Sequence, residues 1–117
     1  MGAPVVSQAL ETLTATIENG GSLSGAVDLG GRKLVAIDMP SSWTAASLTF
    51  QASVDGVTYD DLYDGATERA LTVAASRYLA QAIGDWVGVR FLKIRSGTAG
   101  TPVNQAAART LTLVVQP

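Results

Sequence analysis

The chain of 117 residues contains neither cysteine nor histidine. Without thiols there is no disulfide framework, no thiolate nucleophile and no Cys-based zinc site. Without imidazole, the commonest general base and the commonest metal ligand are missing, which removes most familiar hydrolytic constellations. Charge is also scarce. Asp, Glu, Lys and Arg make up 15% of the residues, for a net charge of −2. The basic residues are scattered, whereas a nucleic-acid footprint needs them clustered. No apolar run approaches the ~20 residues that span a bilayer. The opening Met1-Gly2-Ala3-Pro4-Val5-Val6 lacks the basic segment and apolar core of a signal peptide and gives Gly2 a poor myristoylation context. The expectation is a protein made in the cytoplasm, with no cofactor, no nucleic-acid partner and no membrane insertion.

What is present is apolar: 47% of the residues are hydrophobic, too many for a disordered chain. The length suits a single domain, residues 1–117, burying roughly two thirds of its unfolded surface. Residues 1–11 read as an extended or short helical arm ahead of it.

The most informative stretch is Ser47 to Tyr63, SLTFQASVDGVTYDDLY. Leu48, Phe50, Ala52 and Val54 alternate with Thr49, Gln51 and Ser53, the period of a strand with one buried face. Asp55-Gly56 interrupts the run before Val57, Tyr59 and Tyr63 continue it. Asp-Gly between two alternating runs predicts a hairpin with a type I′ turn, which needs positive φ at both central residues.

Turn signals recur at short intervals, at Asn19-Gly20-Gly21, Gly30-Gly31, Pro40-Ser41-Ser42, Asp64-Gly65, Gly84-Asp85 and from Gly97 to Pro102. Between them the pattern predicts strands at Leu13–Glu18, Gly25–Leu29, Lys33–Met39, Ser47–Val54, Val57–Tyr63, Arg69–Val73, Arg77–Gln81, Val89–Ser96 and Thr110–Gln116. Eight to nine short strands at this spacing specify an all-β fold, an antiparallel β-sandwich or jelly roll. In the last strand Leu111, Leu113 and Val115 face the core. In Val89–Ser96 Leu92 and Ile94 face inward, while Phe91, Lys93 and Arg95 form an amphipathic, partly covered outer face. The Ala-rich segment from Val73 to Trp86 admits a helix burying Leu79, Ala82, Ile83 and Trp86, or a strand at Tyr78 and Ala80 followed by a turn; the surrounding β rhythm favours the strand.

Candidate sites are few. Asp55, Asp60, Asp61 and Asp64 are the densest carboxylates, yet their spacing matches no EF-hand loop and lacks its closing Glu. Solvated turn and edge charges are the simpler assignment, and no pocket is set up to drive two carboxyl pKa values apart for acid–base work. Catalysis is not expected. Trp43 and Trp86 each follow turn residues, where an exposed ring stacks on a sugar or anchors a partner protein. The simpler role for both is to plug the ends of the sandwich. Tyr63 and Arg95 complete the set of partner-contact or glycan-contact candidates, and arginine's excess over lysine is a mild sign of protein–protein packing. The small-residue stretches Ile17–Gly25 and Ser96–Ala108 are suited to close packing against another subunit.

Three pieces in order resemble the discoidin-like branch of galactose-binding jelly rolls: Val27-Asp28-Leu29-Gly30 leading into Leu34–Met39, the Ser53-x-Asp55-Gly56-x-x-Tyr59 hairpin, and Arg90-Phe91-Leu92-Lys93-Ile94. In that family ligand contacts lie on long loops at one end of the barrel. The corresponding loops here are short, and the terminal disulfide of many secreted members is missing. Leu48–Asp64, Val89–Gly97, Thr101–Gln105 and Arg109-Thr110-Leu111-Thr112-Leu113 together resemble small structural proteins of tailed bacteriophages and phage-like particles. That resemblance implies a non-enzymatic virion component, a head decoration, head spike or tail-associated module. It would be made in the bacterial host cytoplasm and bind copies of itself and other virion proteins. The alternative is a carbohydrate-binding module that contacts host-surface glycans.

Overall fold

The alternation between Leu111 and Val115 becomes the centre of a sheet. The computed structural model describes residues 10–117, so the arm expected over 1–11 falls outside the described residues up to residue 9, and Glu11 already belongs to the first strand. In chain order the strands are β1 (Glu11–Ile17), β2 (Val27–Asp28), β3 (Lys33–Asp38), β4 (Leu48–Ser53), β5 (Asp60–Asp61), β6 (Tyr63–Asp64), β7 (Thr67–Glu68), β8 (Tyr78–Ala80), β9 (Phe91–Ser96) and β10 (Arg109–Gln116). They form two four-stranded sheets, β1-β10-β3-β8 and β2-β9-β4-β5, with β6 and β7 as a separate hairpin. Every pairing is antiparallel. The fold is an all-β, antiparallel β-sandwich.

Period-two alternation explains the core. Ala15 and Ile17 of β1 and Leu111, Leu113 and Val115 of β10 are buried in one sheet, facing Leu48 and Phe50 of β4 and Leu92 and Ile94 of β9 in the other. Strand β3 breaks the period. Leu34 and Ile37 are an odd number of residues apart, yet both lie in the core. A β-bulge reconciles them: Val114 pairs with Ala36 and Val115 with Leu34, so Val35 is the extra residue that returns the strand to register.

The Asp-Gly hairpin forms, with Gln51 opposite Asp61 and Ala52 opposite Asp60, but not through a type I′ turn. Gly56 has φ +77°, and Asp55 is not among the residues with positive φ. Side-chain bonds close the loop instead. Asp55 Oδ1 accepts from Val57 N at 2.8 Å, from Thr58 N at 2.9 Å and from the Ser53 hydroxyl at 2.8 Å. Ser53 Oγ in turn accepts from Gly56 N at 2.9 Å. Asp and Ser offer the backbone a local alternative to the tight turn, and here that alternative wins.

The segment predicted as a strand at Arg69–Val73 keeps one isolated bridge, Leu71 to Leu48. The predicted strand at Val57–Tyr63 is divided into the short β5 and the start of β6. The Ala-rich segment resolves into β8 and a 3-10 turn, Ile83–Trp86. The two small-residue stretches pack on each other: Gly20 N donates to Gln105 O at 2.8 Å, and Gln105 N to Gly21 O at 2.9 Å.

Candidate interaction surface

The outer face of β9 carries Phe91, Lys93 and Arg95, and the arm between β4 and β5 folds over it. Gly56 packs on the Phe91 ring so tightly that a Cβ there would stand 3.2 Å from it. The Lys93 ammonium lies 4.3 Å from the centre of the Tyr59 ring, and Arg95 pairs with Asp61. The amphipathic face read from the sequence is thus covered by the chain itself, most completely at Arg95.

Arg95 belongs to a buried network. Its guanidinium donates to Asp61 Oδ1, to Glu68 Oε2 at 3.1 Å and to Thr49 Oγ1 at 3.3 Å. The Thr49 hydroxyl donates to Gly97 O at 2.7 Å, and Glu68 also accepts from Ala99 N at 3.0 Å. One side chain thereby ties β4, β5, β7 and the loop after β9 together. With 7% of its side chain exposed, Arg95 offers a ligand almost nothing. Its planar fork suits this multi-partner role better than a lysine would.

The other candidates separate by burial. Trp86 is fully buried, its ring edge-on to Phe50 at 5.1 Å and capped on another side by Arg69 at 5.7 Å. It fills the core and presents no surface for stacking. Trp43 is half-buried against the core, and its indole N–H donates to Ala46 O at 3.1 Å, closing its own loop. Tyr63, on β6, is 52% exposed. The structure therefore does not bring the four candidates together into one site. The acidic cluster disperses too: Asp55 closes its turn, Asp61 meets Arg95 and Asp64 lies 3.7 Å from Arg69. Among the described residues no group of three acidic side chains could hold a metal ion.

Most arginines are engaged within the chain. Arg32 pairs with Glu11, Arg69 with Asp64 and Asp85, and Arg90 with Asp28. The Arg90 fork and the Gly30 N–H hold the Asp28 carboxyl below the usual carboxylate range. The N–H groups of Thr58 and Val57, with the Ser53 hydroxyl, do the same for Asp55.

Two exposed surfaces carry a hollow among the described residues. The β4–β5 arm presents Val54 and Val57, 95% and 82% exposed, on a loop stiffened by the Asp55 and Ser53 bonds. Beside it lies a shallow hollow of about 300 Å³ lined by Ala52, Ser53, Val54, Leu62 and Gly88 among others. The second surface is a polar hollow of about 490 Å³ lined by Asp64, Thr67, Glu68, Arg69, Gln81 and Asp85; its Glu68 is the cross-strand partner of Tyr63. Apolar side chains on a loop closed by its own hydrogen bonds can seat against a partner at little ordering cost.

Sequence reasoning missed Gln105. This side chain is 1% exposed and lies at the centre of the loop end of the sandwich. Its amide donates to Ser96 Oγ at 2.7 Å and Thr44 O at 3.0 Å, and accepts from Thr44 N at 2.9 Å and Arg109 Nε at 3.1 Å. The one available signal was a lone long polar side chain in a run of small residues.

No protein-family model matches the chain, and no curated protein matches it in sequence. In structure it is similar to the SPBc2 prophage-derived protein YomS, with a TM-score of 0.56 and 13% identity, over 97% of this chain and 100% of that one. It also aligns with the Yersinia pseudotuberculosis-derived mitogen at a TM-score of 0.39 and 16% identity, over 93% of this chain and 86% of that one. The first likeness shows a shared fold; the second is too distant to carry an argument.

Proposed function

We propose that this protein is a non-enzymatic structural component of a tailed-phage or phage-like particle, assembled in the host cytoplasm and working through contacts with particle proteins and with its own copies. The observation that carries this reading is the end-to-end likeness in fold to a prophage-derived protein of the same extent. The open surface supports it: rigidly held, nearly fully exposed Val54 and Val57 suit docking, while nearby Asp55 and Asp61 are occupied in structural bonds. Many copies on a particle would multiply an individually weak contact. Head decoration, head spike and tail attachment are all compatible with such a surface.

The test is density-gradient fractionation of lysate from producing cells, following the chain by mass spectrometry. Co-sedimentation with particles is expected. A Val54→Asp/Val57→Asp variant is expected to leave the particle fraction while melting at the same temperature, since both side chains lie in water. Recovery of the wild-type chain in the soluble fraction alone would reject the reading.

A second reading, glycan binding, is favoured by the exposed Tyr63, whose cross-strand partner Glu68 lines the polar hollow with Asp64 and Gln81. A glycan array with the wild-type chain and Tyr63→Ala decides it: hits lost in the variant support binding, and an empty array removes it.

A further inference from the structure

Strand β1 forms one edge of its sheet, and its outer side has no backbone partner among the described residues. An open edge is a template for another strand, and proteins ordinarily blunt it with short length, charge, proline or a bulge. Three of the four edges in the sandwich are protected by shortness: β8 has 3 residues, and β2 and β5 have 2 each, those of β5 both aspartate. β1 runs for 7 residues, pairs with β10 without a register shift, and from Thr12 to Ile17 carries no charge and no proline.

We infer that this edge pairs with the β1 edge of a second copy, antiparallel about a two-fold axis at Thr14. This rests on the reading of the protein as a self-associating particle component and identifies the surface used. Three features select a second copy. The register centred on Thr14 is the one that overlaps all seven residues, setting Glu11 against Ile17, Thr12 against Thr16, and Leu13 against Ala15. It also keeps faces matched, because Thr12 and Thr14 are exposed on one side while Ala15 and Ile17 are buried on the other. The charges agree as well: the single charged residue, Glu11, falls opposite an isoleucine and is neutralised in its own copy by Arg32 at 3.3 Å. No like charges meet across the axis, and threonine–threonine pairs are favourable in antiparallel sheets.

The pairing would add about six to eight main-chain hydrogen bonds, from alternate residues of each strand. A typical stable interface has about ten, so the contact belongs to the small, concentration-dependent class. Such a contact gains strength on a particle by repetition.

The absence of native cysteine makes the test direct. Thr14→Cys under mild oxidation is expected to give a covalent dimer, because directly opposed residues lie within disulfide reach. Thr112→Cys, opposite Thr14 but one strand inside the sheet, is expected not to cross-link. Sedimentation across a wide concentration range should show a reversible dimer. Thr14→Lys and Thr14→Glu should each weaken it at least tenfold at unchanged melting temperature, and mixing the two variants should restore it. Cross-linking no faster at 14 than at 112, or a dimer indifferent to both charges, overturns the inference. These outcomes are independent of co-sedimentation with particles, so the edge can fail while the particle reading stands, and the reverse.

Discussion

Gln105 and Thr44 are 61 positions apart, yet the side-chain amide of one pairs with the main chain of the other as an adjacent strand would. Thr44 N donates at 2.9 Å to the glutamine oxygen, and the glutamine nitrogen donates at 3.0 Å to Thr44 O. Because Gln105 is also bound through its own backbone to Gly20 and Gly21, three loops meet on one residue.

Replacing Gln105 by Ala removes the amide and leaves the Thr44 N–H, the Ser96 hydroxyl and the Arg109 Nε–H without the partners they have here, while Arg109 keeps its bond to Thr44 Oγ1. Unsatisfied buried groups cost about 1–3 kcal/mol each before water enters the gap, so a net loss of about 2–4 kcal/mol is expected in urea unfolding. Gln105→Glu should cost less, because the Ser96 hydroxyl can turn to donate to the carboxylate and Arg109 keeps its acceptor, leaving only Thr44 O facing a second acceptor.

Arg95→Met deprives Asp61 and Glu68 of their cation. Breaking a fully buried pair costs about 3–5 kcal/mol; here Asp61 is 38% exposed and water screens it, so about 2–3 kcal/mol is expected. Neutralising all three in Arg95→Met/Asp61→Asn/Glu68→Gln should recover part of that loss. If the triple variant were less stable than Arg95→Met alone, the uncompensated charges would not be the cause.

Gly97 and Gly31 separate two costs. Both have positive φ, +89° and +83°, but a Cβ at Gly31 meets open space while one at Gly97 would lie 2.5 Å from Thr101 O. Gly31→Ala is expected to lose about 1 kcal/mol from backbone strain. Gly97→Ala adds a clash with main chain that cannot step aside, and its melting temperature should fall much further.

The depressed carboxyls of Asp28 and Asp55 set an acid limit. In the unfolded chain each takes up a proton near pH 3.8, while the folded chain resists to lower pH. Their contribution is therefore complete above about that value and is lost as pH falls through the lowered folded values. In acid titrations followed by circular dichroism, Asp55→Asn should be less stable than wild type at neutral pH and should lose less between neutrality and pH about 3.

The sandwich was legible because its long strands alternate cleanly: β4, β9 and β10 lie within a residue or two of where the pattern put them. The type I′ turn at Asp55-Gly56 was not, since the dipeptide signal ignores that Ser53 and Asp55 together satisfy the loop's N–H groups. The strand at Arg69–Val73 failed because a β-prone run with one bridging partner does not make a ladder. The candidate contacts fared unevenly for a related reason. A tryptophan beside a turn signals a ring near a surface, not the side it faces, and Trp86 turned inward onto Phe50. Arg95 sat in an exposed-looking pattern, and only the return of the chain through Asp61 and Glu68 covered it.

Strand β10, Arg109–Gln116, lies between β1 and β3. During synthesis the earlier strands therefore wait with no shared neighbour until residue 116 has been made. Everything between Ile17 and Arg109 must be spanned to close that ladder, a loop-closure cost that favours slow folding. The order has a protective side. The β1 edge is held in a ladder only when β10 has docked, so under the proposed pairing a chain without docked β10 would not present it. Under the pairing proposed above, docking of β10 is the step that would have to precede use of the β1 edge.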